Sequence, residues 1–398
     1  MASNRGRATC TMPHQNIPMQ DLPALHSRLE PSLSESIARV VASGKYIRGV
    51  EVKALESELA RYVGTPYCHT CANGTEAIQI ALMALGLKPG DEVITSPFSF
   101  IAVAEACKLL GLKAVFADID PKTYNIAPRA IEALVTPRTR AVIPVHLFGR
   151  MAPMEPILDV ARRYGLYVIE DAAQAFGAEQ DVFGRRLKAC SVGLIGCTSF
   201  FPTKNLGCMG DGGAIFTSSE ELARRVAMVA SHGAERKYHS TCVGLNSRLD
   251  EIQAAVLRVK LRHLDECISR RQAAALRYRA ALAGCDFVSC PDMADGHTFN
   301  QFTLRVNYGC RDDMREFLAL RGVDSMIYFP EPIHRQPVFA EGEDPAILAS
   351  CPRADEAAAS VLSLPMHSEL SPEAVGAVAS AVRDFNIGAV RRAKGAAS

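Results

Sequence analysis

The segment Thr198-Ser199-Phe200-Phe201-Pro202-Thr203-Lys204-Asn205-Leu206-Gly207 sets one lysine in a loop of glycine and small polar residues, and Cys208-Met209-Gly210-Asp211-Gly212-Gly213 continues it. The apolar run Val192 to Cys197 leads in and reads as a buried strand, and Ala214 to Thr217 reads as a second one. A lysine near a strand end with little acidic company can do amine chemistry. Desolvation lowers its pKa, and the free amine condenses with an aldehyde or ketone to a Schiff base. The other reading of Lys204 is an ordinary surface-loop lysine.

Four further features fall where an α/β sheet places ligands, at strand ends and helix starts. Ala72-Asn73-Gly74-Thr75-Glu76 turns a strand into a helix. Its glycine permits close backbone approach, and the helix start offers free N–H groups and a positive dipole end to a phosphate. The same residues also make an ordinary turn with a helix cap. Asp171, in Ile169-Glu170-Asp171-Ala172-Ala173-Gln174, follows an apolar strand. It could hold a protonated ring nitrogen or cap the next helix. Pro97-Phe98-Ser99-Phe100 offers an aromatic to a flat ring, or to the core. Gly244-Leu245-Asn246-Ser247-Arg248-Leu249-Asp250 is a polar loop opening a long helix. Together these supply a phosphate cradle, a ring stacker, a carboxylate for a ring nitrogen and a Schiff-base lysine, which is what pyridoxal phosphate needs from a protein.

The elements that must position them alternate. Strands are expected at Glu92 to Thr95, Lys113 to Ala117, Thr139 to Pro144, Tyr167 to Glu170 and Val192 to Cys197, after a first one near Tyr67. Helices are expected at Leu33 to Ala42, Val52 to Val63, Glu76 to Leu85, Phe100 to Leu110, Pro128 to Ala133 and Met154 to Tyr164. That alternation predicts an α/β fold with a mainly parallel central sheet flanked by helices. A long helix from about Asp250 to Asp265 follows, with a basic continuation, Arg258 to Arg271, read as a solvated face. From Cys285 short strands near Gln301 to Val306 and helices at Arg311 to Arg321 and Pro372 to Phe385 suggest a smaller α+β C-terminal domain. The expected division is a leader at 1–16, a large domain at 17–270 and a small domain at 271–398, with 391–398 fraying.

At 398 residues, 48% hydrophobic and 22% charged, the composition is that of a soluble globular protein. A net charge of +1 gives no field to draw the chain to nucleic acid or an anionic membrane. Thirteen cysteines without a repeated spacing point to a reducing cytoplasm. Cys68 and Cys71 form one C-x-x-C without a second pair, read as buried residues rather than a redox or metal site. No metal is expected. Met1 to Asn16 lacks the apolar core of a signal peptide, and no apolar run is long enough to span a bilayer.

The chain resembles the DegT/DnrJ/EryC1/StrS family, the sugar aminotransferases of pyridoxal-phosphate fold type I, from about Ile17 to Leu370. The resemblance rests on Gly-Lys-Tyr-Ile-Arg-Gly at 44–49, Asn73-Gly74-Thr75, Pro89 to Ile94, Glu170 to Ala175, Ser199 to Gly213, Gly244 to Arg248 and Ser363 to Met366. It implies that Lys204 carries pyridoxal 5′-phosphate as a Schiff base and then moves the proton between substrate carbon and cofactor. It assigns Asp171 to the pyridine nitrogen, Gln174 to the ring near its hydroxyl, and Phe100 to the opposite ring face. Gly74, Thr75 and Ser199 would hold the phosphate. Asn246 would reach it from the neighbouring subunit, so a homodimer with shared sites is implied. L-Glutamate would be the donor, with pyridoxamine 5′-phosphate between two half-reactions, and a nucleotide-linked keto sugar the acceptor. The lysine motif is most similar to enzymes that aminate the 3-oxo carbon of nucleotide sugars, some of which act on a UDP-linked 3-oxo-N-acetylglucosaminuronic acid whose carboxylate would meet Arg248; a UDP-linked 3-oxo sugar is the expected acceptor. Tyr46, Arg48, Arg248, Tyr328 and His334 are the candidate substrate contacts. Tyr328-Phe329-Pro330 departs from the His-Tyr-Pro or Tyr-Tyr-Pro of close relatives and leaves the sugar open: a dTDP-linked 3- or 4-oxo sugar or a cyclitol ketone would also suit. A family dehydratase would carry histidine in place of Lys204. A cofactor-binding regulatory protein without turnover would be expected to carry a DNA-binding module or basic stripe, and neither is present.

Overall fold

Apolar runs alternating with helical segments build a seven-stranded sheet in the computed structural model, which describes residues 16–340, 351–386 and 388. The expected leader, apart from residue 16, and the fraying end at 391–398 lie outside those residues. The strands in chain order are β1 (Tyr67–Cys71), β2 (Glu92–Thr95), β3 (Lys113–Phe116), β4 (Thr139–Ile143), β5 (Tyr167–Asp171), β6 (Glu179–Val182) and β7 (Arg185–Lys188). They continue with β8 (Ile195–Ser199), β9 (Gly213–Thr217), β10 (Ala234–Arg236), β11 (His239–Ser240), β12 (Val288–Ser289), β13 (Phe302–Val306) and β14 (Val361–Leu364). The large sheet has the order β1-β9-β8-β5-β4-β2-β3. The pairings among β2, β3, β4, β5 and β8 are all parallel. Only β9 runs against its neighbours, β8 and β1.

Both faces of this sheet are covered, so its strands read as continuous apolar runs. Successive residues point to opposite faces. Val142 and Val168 join a core with Leu55, Leu59, Ile157 and Phe216, while Ala141, Ile143 and Ile169 join another with Ile78, Ala81 and Val103. The smaller antiparallel sheet, β12-β13-β14, packs against helices Arg311–Leu320 and Pro372–Arg383 over a third core that includes Tyr278, Phe302 and Leu318. No helix among the described residues is long and apolar enough to cross a membrane.

Three departures from the sequence reading have physical causes. The strand expected from Val192 starts at Ile195, because the amides of Val192 and Gly193 both donate to Glu170 Oε1 at 2.7 Å instead of joining the ladder. The long helix expected from Asp250 is two helices, Glu251–Leu261 and Leu264–Ala281, broken by a turn at Arg262 and His263 that neither glycine nor proline marks. The second of these crosses residue 270. Leu264 and Ile268 belong to the core under the large sheet, whereas Ala274, Ala275 and Tyr278 belong to the C-terminal core. Helix Pro352–Ser360 returns to the large sheet, where Ala354, Ala357 and Ala358 pack with Val103 and Ile143, so the two packing units interleave along the chain.

Candidate active site

The lysine loop is a return between neighbouring antiparallel strands. Ser199 of β8 pairs with Gly213 of β9, and Phe200 N donates to Gly212 O at 2.7 Å. Inside it, Cys208 N donates to Phe200 O (2.8 Å) and Lys204 N to Phe201 O (2.9 Å). Gly207 is obligatory, since a Cβ there would lie 2.3 Å from Pro202 O. Asn205 anchors the turn from outside. Its Nδ2 donates to Phe176 O (3.1 Å) and Thr298 Oγ1 (2.8 Å), and its Oδ1 accepts from Asn300 Nδ2 (3.1 Å). Lys204 is half-buried, and burial lowers its pKa against the opposing pull of Asp171. That is the electrostatic state an amine nucleophile needs.

Asp171 closes β5, the strand beside β8, and is paired with Cys197. Burial raises its pKa, while the Ala173 amide (3.0 Å to Oδ1) and the charge of Lys204 pull it back. Oδ1 is thus engaged, and Oδ2 is left for a cationic partner. The preceding Glu170 is buried, and four donors converge on it. Val192 N and Gly193 N reach Oε1, while Cys190 N (3.0 Å) and His146 Nε2 (2.9 Å) reach Oε2. Because Ala152 N donates to His146 Nδ1 at 3.0 Å, the imidazole proton sits on Nε2 and points at the carboxylate. Sequence reasoning missed this pair; a lone histidine after an apolar strand carries no sign of its partner. Gln174 is oriented by Phe148 N, which donates to its Oε1 at 2.8 Å and so turns Nε2 the other way.

Gly74 begins helix Gly74–Ala84, whose N-cap Asn73 accepts from Glu76 N at 2.8 Å. The first-turn amides of Gly74 and Thr75 have no intrahelical acceptor. A Cβ on Gly74 would lie 2.7 Å from Ser199 Cβ, and one on Gly213 would lie 2.5 Å from Asn73 O. The helix start is therefore pressed onto the β8–β9 pair, with the Ser199 side chain against Gly74. Ser247 Oγ accepts from Ala72 N at 3.1 Å and lays the Gly244–Asp250 loop against the same turn.

Two of the expected substrate segments meet. Ile47 bridges Asp250, and Glu251 N donates to Tyr46 O at 2.9 Å. Glu251 in turn accepts from the amides of Gly49, Glu51 and Val52. Tyr46, Arg48, Asn246 and Arg248 are all exposed on these joined loops, with Arg248 Nη2 donating to Asn246 Oδ1. Of the two aromatics after β2, Phe98 is buried among Tyr124, Phe148 and Phe329, and Phe100 is exposed. Tyr328 is half-buried against Phe329. His334 is not brought to these loops. It is buried, with its ring near Phe116 and Nε2 3.4 Å from Asp355.

Pyridoxal phosphate would meet suitable partners here. Its aldehyde would be offered the Lys204 amine of lowered pKa, its ring nitrogen the Asp171 carboxylate with one oxygen unspent, and its phosphate the two free helix-start amides of Gly74 and Thr75 and the Ser199 hydroxyl. The residues fit the cofactor, and with the β1-β9-β8-β5-β4-β2-β3 sheet they define the class as a pyridoxal-phosphate-dependent enzyme of fold type I. Residues 28–383 match the DegT/DnrJ/EryC1/StrS aminotransferase family, and the chain belongs to that family. A Pseudomonas aeruginosa protein named UDP-2-acetamido-2-deoxy-3-oxo-D-glucuronate aminotransferase is 44% identical over 366 residues, covering 91% of this chain and 98% of its own. A Geobacillus stearothermophilus protein named pleiotropic regulatory protein is also 44% identical, over 379 residues, covering 93% and 98%. Among solved structures, S. venezuelae DesV in complex with a ketimine intermediate superposes with a TM-score of 0.88 at 40% identity, covering 93% of this chain and 98% of that one.

Proposed function

We propose that this chain transfers the amino group of L-glutamate to the keto carbon of a nucleotide-linked sugar, a UDP-linked 3-oxo sugar being the best fit. It does so as a cytoplasmic homodimer. The observation that carries the reading is the pinned Lys204 loop: one lysine of lowered pKa beside the strand that ends in buried Asp171. Pyridoxal phosphate, when bound, supplies the aldehyde that receives the amino group and a ring that accepts electrons. The chain supplies the rest. The Lys204 amine, its pKa lowered by burial, takes the proton from the donor's amino-bearing carbon and later returns one to the sugar carbon. Asp171 holds a proton at the ring nitrogen. Gln174 Nε2, turned away from Phe148, is a donor for the ring hydroxyl, and Phe100 covers the ring face. Gly74 and Thr75 amides and the Ser199 hydroxyl bind phosphate, and Asn246 reaches the site of the partner subunit.

Arg248, on the same loop, is suited to a sugar carboxylate because a guanidinium binds a carboxylate with two parallel hydrogen bonds. The name of the Pseudomonas aeruginosa relative supports that acceptor. Tyr46, Arg48 and Tyr328 are further candidate contacts, whereas His334 is buried beside Phe116 and Asp355, away from these loops. The test is the absorbance spectrum of the loaded protein before and after L-glutamate without sugar. Loss of the yellow band with gain of the reduced-cofactor band is expected; a protein that never takes up the cofactor overturns the reading. The name of the Geobacillus stearothermophilus relative favours a second, regulatory reading. Sequence-selective DNA binding at physiological salt by a chain without turnover would establish that one instead.

A further inference from the structure

Beside the lysine loop lies a cavity of about 30 Å3, between the loop, helix Leu22–Arg28 and the start of helix Leu264–Ala281. Its lining includes Lys204, Lys260, Arg271, His367 and Asp21. Lys260 is only 6% exposed. Its ammonium donates to Gly207 O (2.8 Å) and lies 3.0 Å from His26 Nε2, with no carboxylate paired to it among the described residues. Arg271 is 5% exposed and spends its donors on the carbonyls of Phe299, Asn300 and Met366 and on Gln20 Oε1, again without an ion pair there. His367 is 6% exposed, and neither ring nitrogen has a partner among the described residues. The carboxylate in the lining, Asp21, already accepts from Ala24 N as a helix cap.

Two buried cations thus share a cavity lined by one carboxylate and an unpartnered imidazole, and Glu369, the other acid that acts on Arg271 and His367, is already paired with Arg28 and Arg270. Burial depresses Lys260 to about 8 and Arg271 to about 10, yet both stay charged at neutral pH. Removing charge from water without an opposite charge is costly. Water could satisfy the imidazole but would leave the charge unbalanced. The volume is two to three times the roughly 10–15 Å3 that one water requires, enough for a halide or one carboxylate group and too small for a sugar ring.

We propose that this cavity binds a small monovalent anion, a halide ion or a single carboxylate group, between Lys260, Arg271 and His367. Because Lys260 also holds Gly207, the occupied site braces the loop that carries Lys204. The anion can come from solution, or it can be the carboxylate of an amino donor that enters past Lys204; the shared chemistry is the same. The inference does not depend on which sugar is the acceptor.

The experiment uses the full chain loaded with pyridoxal phosphate. Crystals grown in bromide are expected to show an anomalous peak among Lys260, Arg271 and His367. In solution, bromide at ten times its half-saturating concentration is expected to raise the unfolding midpoint by about 2 °C. His367→Phe, which fills the space without touching either cation, loses that saturable rise. Lys260→Gln, which keeps a donor for Gly207 O, weakens bromide at least about tenfold, and serves if His367→Phe does not fold. Displacement of bromide by glutarate assigns the site to a donor carboxylate; bromide that glutarate cannot displace assigns it to free anions. An empty or water-filled cavity overturns the proposal. So does a bromide peak without the saturable shift, which means binding at crystal concentration only.

Discussion

Replacing Glu170 by glutamine changes almost no volume, yet it removes an acceptor that four donors share. The carboxylate takes two donors on each oxygen, Val192 N and Gly193 N on one, Cys190 N and His146 Nε2 on the other. A glutamine has one carbonyl oxygen, so its amide nitrogen must face two donors whichever way it turns. Turned toward Val192 and Gly193, it strands two backbone amides. Turned toward Cys190 and His146, it strands one amide and asks the imidazole to move its proton to Nδ1, where Ala152 N–H already points. Each buried donor left without an acceptor costs about 1–3 kcal/mol. Two of them, with the charge assistance also lost, put Glu170→Gln about 3–5 kcal/mol below wild type. For a chain of 398 residues the unfolding midpoint should fall by about 4–6 °C, using roughly 1.2 °C per kcal/mol from an unfolding entropy of about 2.1 cal/mol/K per residue. Thermal unfolding of the cofactor-free protein reads this directly, with Glu170→Asp as the control that keeps the charge. A glutamine variant within about 2 °C of wild type would mean that the carboxyl is already protonated and that the four-donor arrangement is wrong.

Three further outcomes follow from other parts of the site. Gly74→Ala drives a Cβ to 2.7 Å from Ser199 Cβ; overpacking there costs ~1–3 kcal/mol, and equilibrium dialysis should show pyridoxal phosphate affinity reduced about tenfold or more. Lys204→Ala should keep the fold but leave no cofactor mass on the chain after borohydride reduction, and give no multiple turnover. His297 is neutral in the fold, its pKa held at about 3 by burial and then by Arg150. The unfolded chain takes up a proton below ~6.5 that the folded one refuses, so stability is lost as pH falls through that window, by about 2 kcal/mol at pH 5. Unfolding of wild type and His297→Gln at pH 7.5 and 5 should show the variant losing less.

The sheet was legible because strands covered on both faces must be apolar runs, and the alternation with helices left little choice of class. The residues proposed to hold the cofactor stand out in the sequence for a related reason: glycine at a helix start, Asp at a strand end and lysine in a small-residue loop are types the chemistry requires. Residues that hold those groups in place do not. Glu170 stood in view beside Asp171, but its four donors come from segments that only the fold assembles. Val192 was placed in a strand because nothing local shows that its amide prefers a carboxylate. Helix Glu220–Val229 escaped notice, although Ser219 caps Leu222 N and two glutamates open its first turn. His334 is among the expected substrate contacts; the direction of its side chain, toward Phe116 and Asp355, is set by a three-residue turn whose orientation no pattern encodes.

The reversed strand explains why the lysine needs so many anchors. A parallel neighbour for β8 would have required a crossover, usually a helix, that packs on the sheet and carries its own core. Running β9 antiparallel lets the chain turn straight back, so the loop is tied to the sheet only at its ends, by Ser199 paired with Gly213 and Phe200 N on Gly212 O. Between those ends the loop has its own turns, Lys204 N on Phe201 O and Cys208 N on Phe200 O, and side chains from elsewhere fix those turns in place. Asn205 ties it to the end of the β5 loop and to the His297–Asn300 segment of the C-terminal unit, and that segment also lies against Gly149, where a Cβ would sit 2.6 Å from Thr298 Oγ1. Gly149 adjoins Phe148, whose amide orients Gln174. A single chain of contacts therefore runs from Lys204 through Asn205 and Thr298 to Gln174. A shift of the C-terminal unit would move the lysine and the glutamine together, which is how two residues on separate loops can keep one geometry.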